Sequence, residues 1–125
     1  MFIPSGIVMQ NFVDHPNMKR VALLLGLIMV VGVFIVCLMP LQIKTVENGD
    51  KIQHFLAYGG LMLWFGFWFP SRLRLWLVLF IAMGILIEFL QGLTPYRSFS
   101  VADMLANSIG ALLLYAVLVW RQAKR

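Results

Sequence analysis

Charged residues are scarce in this chain of 125 residues, because Asp, Glu, Lys and Arg together make up only 12% of it. A soluble domain of ordinary composition carries about twice that fraction. Hydrophobic residues make up 62% of the chain. The composition therefore excludes an ordinary soluble domain and indicates an integral membrane protein.

Cysteine is almost absent as well. Cys37 is the only one, so the chain can form neither an internal disulfide nor a cysteine-based metal site. The sequence also lacks a glycine-rich phosphate-binding loop and a serine–histidine nucleophile motif. These absences exclude the best-known nucleotide and acyl-transfer sites, and they direct attention to the polar residues inside the apolar segments.

Four long apolar runs cover residues 21–39, 52–69, 75–90 and 101–120. Each approaches the roughly 20 residues that an α-helix needs to cross about 30 Å of hydrocarbon. The third run is the shortest and spans the membrane only if Glu88 and Gln91 lie within its outer turns. We predict an all-α integral membrane protein, a four-transmembrane-helix bundle. Its membrane domain is residues 18–125, and residues 1–17 form a poorly ordered or interfacial tail.

The basic residues predict how this bundle is oriented. The net charge of +5 would suggest a nucleic-acid partner for a soluble protein, but here the basic residues lie in short loops and at the termini. Cytoplasmic loops of membrane proteins are enriched in Lys and Arg. Seven of the ten basic residues fall on one predicted side and three on the other, at Lys44, Lys51 and Arg97. We therefore predict that both termini are cytoplasmic and that residues 40–51 and 91–100 face outward.

Polar residues inside the predicted helices are concentrated in the outer half of the bilayer. They form three pairs at helical spacing: His54 with Tyr58, Glu88 with Gln91, and Asp103 with Asn107. Residues three or four apart share one face of a helix. Lipid offers such groups no partner, so they are expected to face the interior of the bundle. The spacing therefore predicts one polar cluster, which the outward residues Lys51 and Arg97 can cover.

Two local patterns predict how the last helix begins and packs. Ser100, followed by Asp103 three residues later, is typical of a capping box. Small residues recur every four positions and predict a ridge for close helix contact: Ala102, Ala106 and Gly110.

Two segments then resemble a known family. "DKIQHFLAYGGL" and "EFLQGLTPYRSFSVADMLANSIG" are similar to the pattern of the VanZ-like family of small bacterial membrane proteins. The matching positions are Asp50, Lys51, His54, Tyr58, Glu88, Gln91, Arg97, Asp103, Asn107 and Gly110. Leu114 departs from the pattern, because many members carry glycine there. The resemblance implies a multi-pass protein of the bacterial cytoplasmic (inner) membrane, and it links the chain to teicoplanin-type resistance.

The polar cluster suggests two classes of function. As an enzyme site, it would use Glu88, His54 and Asp103 for catalysis, with Glu88 as general acid or base. An anionic lipid or envelope-precursor headgroup would be bound by the remaining residues: Asp50, Lys51, Tyr58, Gln91, Arg97 and Asn107. The alternative is a non-catalytic binding or scaffold protein whose polar cluster is a helix-packing network.

No cofactor follows from the sequence. His54, Glu88 and Asp103 are metal-ligand types, but their spacing matches no metal-site signature, so no metal site is predicted. The expected partners are membrane lipids or lipid-linked envelope precursors, not nucleic acid, and the composition favours no particular oligomeric state.

Overall fold

The computed structural model describes residues 5–39, 49–95 and 100–124, with side chains from residue 51 onward in the second range. Its elements are five helices and a short 3₁₀ turn, which covers Pro70–Arg72. The helices are α1 (Ser5–Asp14), α2 (Pro16–Leu38), α3 (Gly49–Trp68), α4 (Leu73–Gly92) and α5 (Val101–Ala123). No strand occurs within these ranges, so the all-α prediction is confirmed for them.

Side chains and proline mark where two of the helices begin. The His15 Nδ1 atom accepts a hydrogen bond from the Asn17 N–H at 3.2 Å, and Pro16 occupies the first helical position of α2. The Ser100 Oγ atom accepts from the Asp103 N–H at 3.2 Å at the start of α5. The first N–H groups of a helix have no partner within the helix, and side-chain caps of this kind satisfy them.

Contacts at both ends show that α2 to α5 run alternately up and down. Lys19 donates to the Trp68 carbonyl at 2.9 Å, which joins the start of α2 to the end of α3. Gln122 donates to the Pro70 carbonyl at 2.9 Å, which brings the end of α5 to the same place. We call this the basic end. At the opposite end, which we call the cluster end, α2 and α4 finish and α3 and α5 begin.

Aromatic side chains pack together at the basic end. The indole N–H of Trp64 donates to the Ala22 carbonyl at 2.9 Å, and that of Trp76 donates to the Phe69 carbonyl at 3.1 Å. The Phe65 ring lies 4.9 Å from the Trp76 ring, centroid to centroid. Tryptophan suits a membrane interface because its ring is apolar and its N–H needs a polar partner.

The closest helix packing is between α3 and α5. A Cβ atom at Gly110 would lie 2.5 Å from the Phe55 carbonyl oxygen, so the two backbones touch there. Leu114 fills the space over Gly59, where a Cβ would lie 3.1 Å from the leucine Cδ2. Of the predicted ridge, Gly110 is buried in this contact, but Ala102 is exposed. The ridge prediction was wrong for Ala102, because it is Asp103, one position later, that is buried and faces Lys51 of α3.

Among the residues that the structure describes, three helical segments are long and apolar enough to cross a membrane: Pro16–Leu38, Pro70–Gly92 and Val101–Ala123. These segments confirm the prediction of a membrane protein. Helix α3, although 20 residues long, does not qualify by composition, because Lys51, Gln53 and His54 lower the hydropathy of its first turns. Glu88 and Gln91 lie within α4. The third apolar run needed both residues inside its helix to be long enough to cross the membrane.

Residues 5–14, within the predicted N-terminal tail, form helix α1, which has no buried residue. One contact of α1 with the bundle is aromatic, since the Phe12 ring lies 6.3 Å from the Trp68 ring. Helix α1 therefore lies beside the basic end and contributes nothing to the core.

The contact at Gly110 yields a stability prediction. Gly110→Ala should force α3 and α5 apart and lower the free energy of unfolding by about 1–3 kcal/mol, as overpacking of a close contact does. The measurement is reversible unfolding of the purified protein in mixed micelles. Gly60→Ala is the matched control, because a Cβ there meets nothing within 4 Å. Equal stabilities of the two variants would contradict the packing described.

Candidate functional site

Polar side chains are buried together at the cluster end of the bundle. The set comprises His54, Tyr58, Glu88, Gln91, Asp103 and Asn107, each no more than 7% exposed. We call these six residues the polar cluster. Helices α3, α4 and α5 each supply one pair. The two residues of a pair lie on the same face of their helix, and in each case that face is turned toward the other helices. None of the six lies on an outer face of the bundle.

Glu88 is fixed by the backbone that precedes α5. The Ser100 N–H donates to the Glu88 Oε1 atom at 2.5 Å. In a capping box that N–H would be bound by the side chain at the third helical position, which here is Asp103. Glu88 from α4 takes this role instead, while the Ser100 hydroxyl still caps the Asp103 N–H. The Asp103 carboxylate is therefore not used in capping its own helix.

Lys51 faces the Asp103 carboxylate across the rim of the cluster. Their Nζ and Oδ1 atoms are 3.9 Å apart, with the lysine side chain 39% exposed and the aspartate side chain 10% exposed. A charge-assisted hydrogen bond between such groups is about 2.7–2.9 Å long. The pair is therefore held by charge attraction at a longer distance, and the Lys51 ammonium keeps hydrogen-bond donors for another anion.

Gln91 joins α4 to α2. Its side-chain nitrogen donates to the Cys37 carbonyl at 2.7 Å, in a buried position. The last four carbonyls of a helix have no partner within it, and Cys37 is one residue from the end of α2. The side-chain nitrogen of this predicted binding residue thus makes a structural bond between two helix ends.

Asn107 fits against α4 because Gly84 has no side chain. A Cβ at Gly84 would lie 3.1 Å from both the Cβ and the Nδ2 atoms of Asn107. Neither amide atom of Asn107, nor the Tyr58 hydroxyl, forms a hydrogen bond within the described part of the chain, although all three atoms are buried.

Two of the predicted site residues have no described side chain. Arg97 lies outside the described residues, and so does the side chain of Asp50. Among the residues that are described, no three His, Cys, Asp or Glu side chains come close enough together to hold a metal ion.

Sequence reasoning missed two contributors to this geometry. It predicted Ser100 as a cap but not the bond from its N–H to Glu88, because that bond crosses between helices. It did not single out Gly84, although Gly84 lies one turn before Glu88 on the same face of α4, and Asn107 lies one turn after Asp103 on α5. In antiparallel helices, if Glu88 lies beside Asp103, then Gly84 lies beside Asn107. This comparison could have indicated Gly84 as the residue that makes room for Asn107.

Comparison with known protein families gives a match over almost the whole chain. The sequence model of a family described as VanZ/LLP1 matches residues 1–122. No curated protein and no solved structure matches the chain significantly.

The Gln91 bond gives a second prediction. Gln91→Met keeps the approximate volume but leaves the Cys37 carbonyl without its buried donor, which should lower the free energy of unfolding by about 1–3 kcal/mol. Gln122→Met is the matched control, because the Gln122 bond to Pro70 is exposed and water can replace it. Denaturation of both variants in mixed micelles tests this, and a larger loss for Gln122→Met would contradict it.

Proposed function

The chain belongs to the VanZ/LLP1 family, and from this premise we propose that its polar cluster binds the headgroup of an anionic membrane lipid or lipid-linked envelope precursor. The site opens to the outer face of the bacterial cytoplasmic (inner) membrane. Binding there changes the cell envelope, and through it tolerance to teicoplanin-type glycopeptides.

The observation that carries this proposal is the pair Tyr58 and Asn107. Their buried hydroxyl and amide atoms make no hydrogen bond within the residues that the structure describes. Buried polar groups are ordinarily hydrogen-bonded, and leaving one unsatisfied costs about 1–3 kcal/mol. A headgroup with oxygen and hydroxyl groups supplies the matching partners, since Tyr58 and Asn107 can donate to the oxygens and Asn107 can accept from a hydroxyl.

The charges of the site favour a particular orientation of the headgroup. Lys51 lies at the rim, partly exposed and only loosely paired with Asp103, so it can attract a phosphate. One turn deeper in the bundle, Asn107 suits an uncharged hydroxyl group. A phosphate at the rim with hydroxyl groups below it describes a glycerol- or sugar-phosphate headgroup.

Glu88, His54 and Asp103 are our candidates for proton transfer to a bound headgroup. The Ser100 N–H holds one Glu88 oxygen in place, which is the kind of positioning that general acid–base catalysis needs. The competing function is a packing network without a ligand. The bonds from Ser100 to Glu88 and from Gln91 to Cys37 favour it, because both join separate elements.

We also propose that α3 is the fourth membrane span and that both termini are cytoplasmic. Helix α3 contacts the start of α2 at the basic end through Lys19 and the start of α5 at the cluster end through Lys51. It therefore extends along the same depth as its neighbours. In its polar first turns His54 is buried and Lys51 lies beside Asp103 of α5, so low hydropathy does not prevent α3 from spanning the membrane. The basic end, rich in Lys and Arg, faces the cytoplasm.

Reporter fusions test this topology, because an even or odd number of spans decides whether the two ends of the chain lie on the same side of the membrane. Four spans place both ends of the chain on the same side, whereas three spans place them on opposite sides. Green fluorescent protein, which folds in the cytoplasm, should be bright when fused before residue 1 and also after residue 125. Alkaline phosphatase should be inactive after residue 125 and active when inserted at residue 45. An active phosphatase after residue 125, with a bright fusion before residue 1, would overturn the four-span proposal.

Variants at the two ends of the bundle test the site. Lys51→Ala should weaken binding of phosphatidylglycerol to the purified protein roughly tenfold or more, because a charge-assisted contact to the phosphate is lost. Arg72→Ala, at the basic end, is the matched control and should bind like the wild type. The measurement is native mass spectrometry across a lipid titration. Wild-type binding by Lys51→Ala, with a lowered free energy of unfolding, would instead support the packing network.

The same experiment extends to catalysis through Glu88→Gln, which retains an oxygen that can accept from Ser100. An enzyme should lose its effect on the envelope lipids completely, whereas a binding protein should only be weakened. Lipid extracts and glycopeptide inhibitory concentrations, compared between cells expressing wild type and Glu88→Gln at equal levels, separate the two.

A further inference from the structure

An apolar groove of about 410 Å³ runs between α2 and α3. Its mouth, at the cluster end, is formed by Val36 and Cys37 of α2 and by Gln53 and His54 of α3. Below the mouth, its lining includes the glycines Gly32 and Gly60. No charged residue lines it among those described. Its volume falls within the 300–1,000 Å³ typical of small-molecule sites.

The two glycines keep this groove open. A Cβ built at Gly32 or at Gly60 meets nothing within 4 Å, whereas one at Gly84 or Gly110 meets a neighbouring helix. Gly32 and Gly60 therefore have no packing reason to be small. Glycine within a helix is less favourable than alanine by about 0.8–1.0 kcal/mol, and here it leaves room beside the helix.

The groove extends over most of the depth of one lipid leaflet. On α3 it extends from Gln53 to Leu61, and on α2 from Met29 to Cys37. At 1.5 Å per residue each stretch is about 12 Å long, against roughly 15 Å for half of a hydrocarbon core about 30 Å thick. It thus extends from the cluster end to near the middle of the bundle.

We propose that this groove holds one hydrocarbon chain of the lipid whose headgroup occupies the polar cluster. This inference rests on the proposed function and narrows its substrate class to an intact amphiphile, excluding a free sugar or glycerol phosphate. His54 connects the two parts, because it lines the groove mouth and also belongs to the polar cluster. A lipid whose chain lies along α2 and α3 therefore brings its headgroup to the polar cluster at His54.

The test is photocrosslinking with phosphatidylglycerol that carries a diazirine midway along one acyl chain, in phosphatidylcholine vesicles containing the full chain. We expect label on the groove walls, at Val33 and Ala57, as mapped by mass spectrometry. Gly60→Leu and Gly32→Leu fill the groove and should each reduce this label at least fivefold. Gly6→Leu is the matched control, because its Cβ also meets open space but lies on α1, and it should leave the label unchanged.

Lys51→Ala separates a failure of this inference from a failure of the proposed function. If Lys51→Ala lowers phosphatidylglycerol binding, but the label spreads equally over outer positions such as Val78 and Val117, the headgroup site stands and the groove proposal is overturned. The proposal is also overturned if the groove walls stay unlabelled in the wild type, as occupation by residues 40–48 or by a second copy would cause. If Lys51→Ala changes neither lipid binding nor groove label, the headgroup site itself is wrong.

Discussion

Hydrocarbon offers a polar group no hydrogen-bond partner, and most of this structure follows from that constraint. The chain carries carboxylates, amides, a histidine and a tyrosine on helices that are otherwise apolar. Such groups are tolerated only where they face one another, so α3, α4 and α5 must meet at one end. Their close approach at Gly110 and Gly84 makes that meeting possible, because a larger residue at either place would separate the helices that carry the cluster.

At the cluster end, some polar groups form hydrogen bonds between separate elements, and others suit a ligand. Gln91 and the Ser100 backbone join the ends of separate elements, and the cap at Ser100 sets where α5 begins. Tyr58 and Asn107 are buried without such bonds in the described ranges, and Lys51 is only loosely paired. A packing network accounts for the first set. A bound headgroup is our account of the second, because it supplies the donors and acceptors that these side chains lack.

The two ends of the bundle are built from different chemistry. The basic end is held by aromatic rings and by bonds to helix-end carbonyls, such as those from Lys19 and Trp64, which suit an interface that is partly wet. The cluster end is held by buried polar groups, and one of them, His54, also lines an apolar groove. This asymmetry agrees with a protein that is anchored at one membrane face and binds at the other. It also explains why α3, which carries both kinds of residue, is not among the helices apolar enough by composition to cross a membrane.

Composition and helical spacing by themselves determined that the chain is helical and enters the membrane, because apolar runs of this length have few other stable arrangements. The i, i+3 and i, i+4 spacings also predicted which side chains share a face, since the helix repeat is fixed. Only the tertiary structure decided which partner each polar group has. Ser100 donates to Glu88 and not to Asp103, Gln91 binds the end of α2, and Ala102 lies outside the contact, because each depends on how helices distant in sequence are rotated and offset. The groove at Gly32 and Gly60 was also decided only by the tertiary structure, since a space between two helices exists only after both are placed.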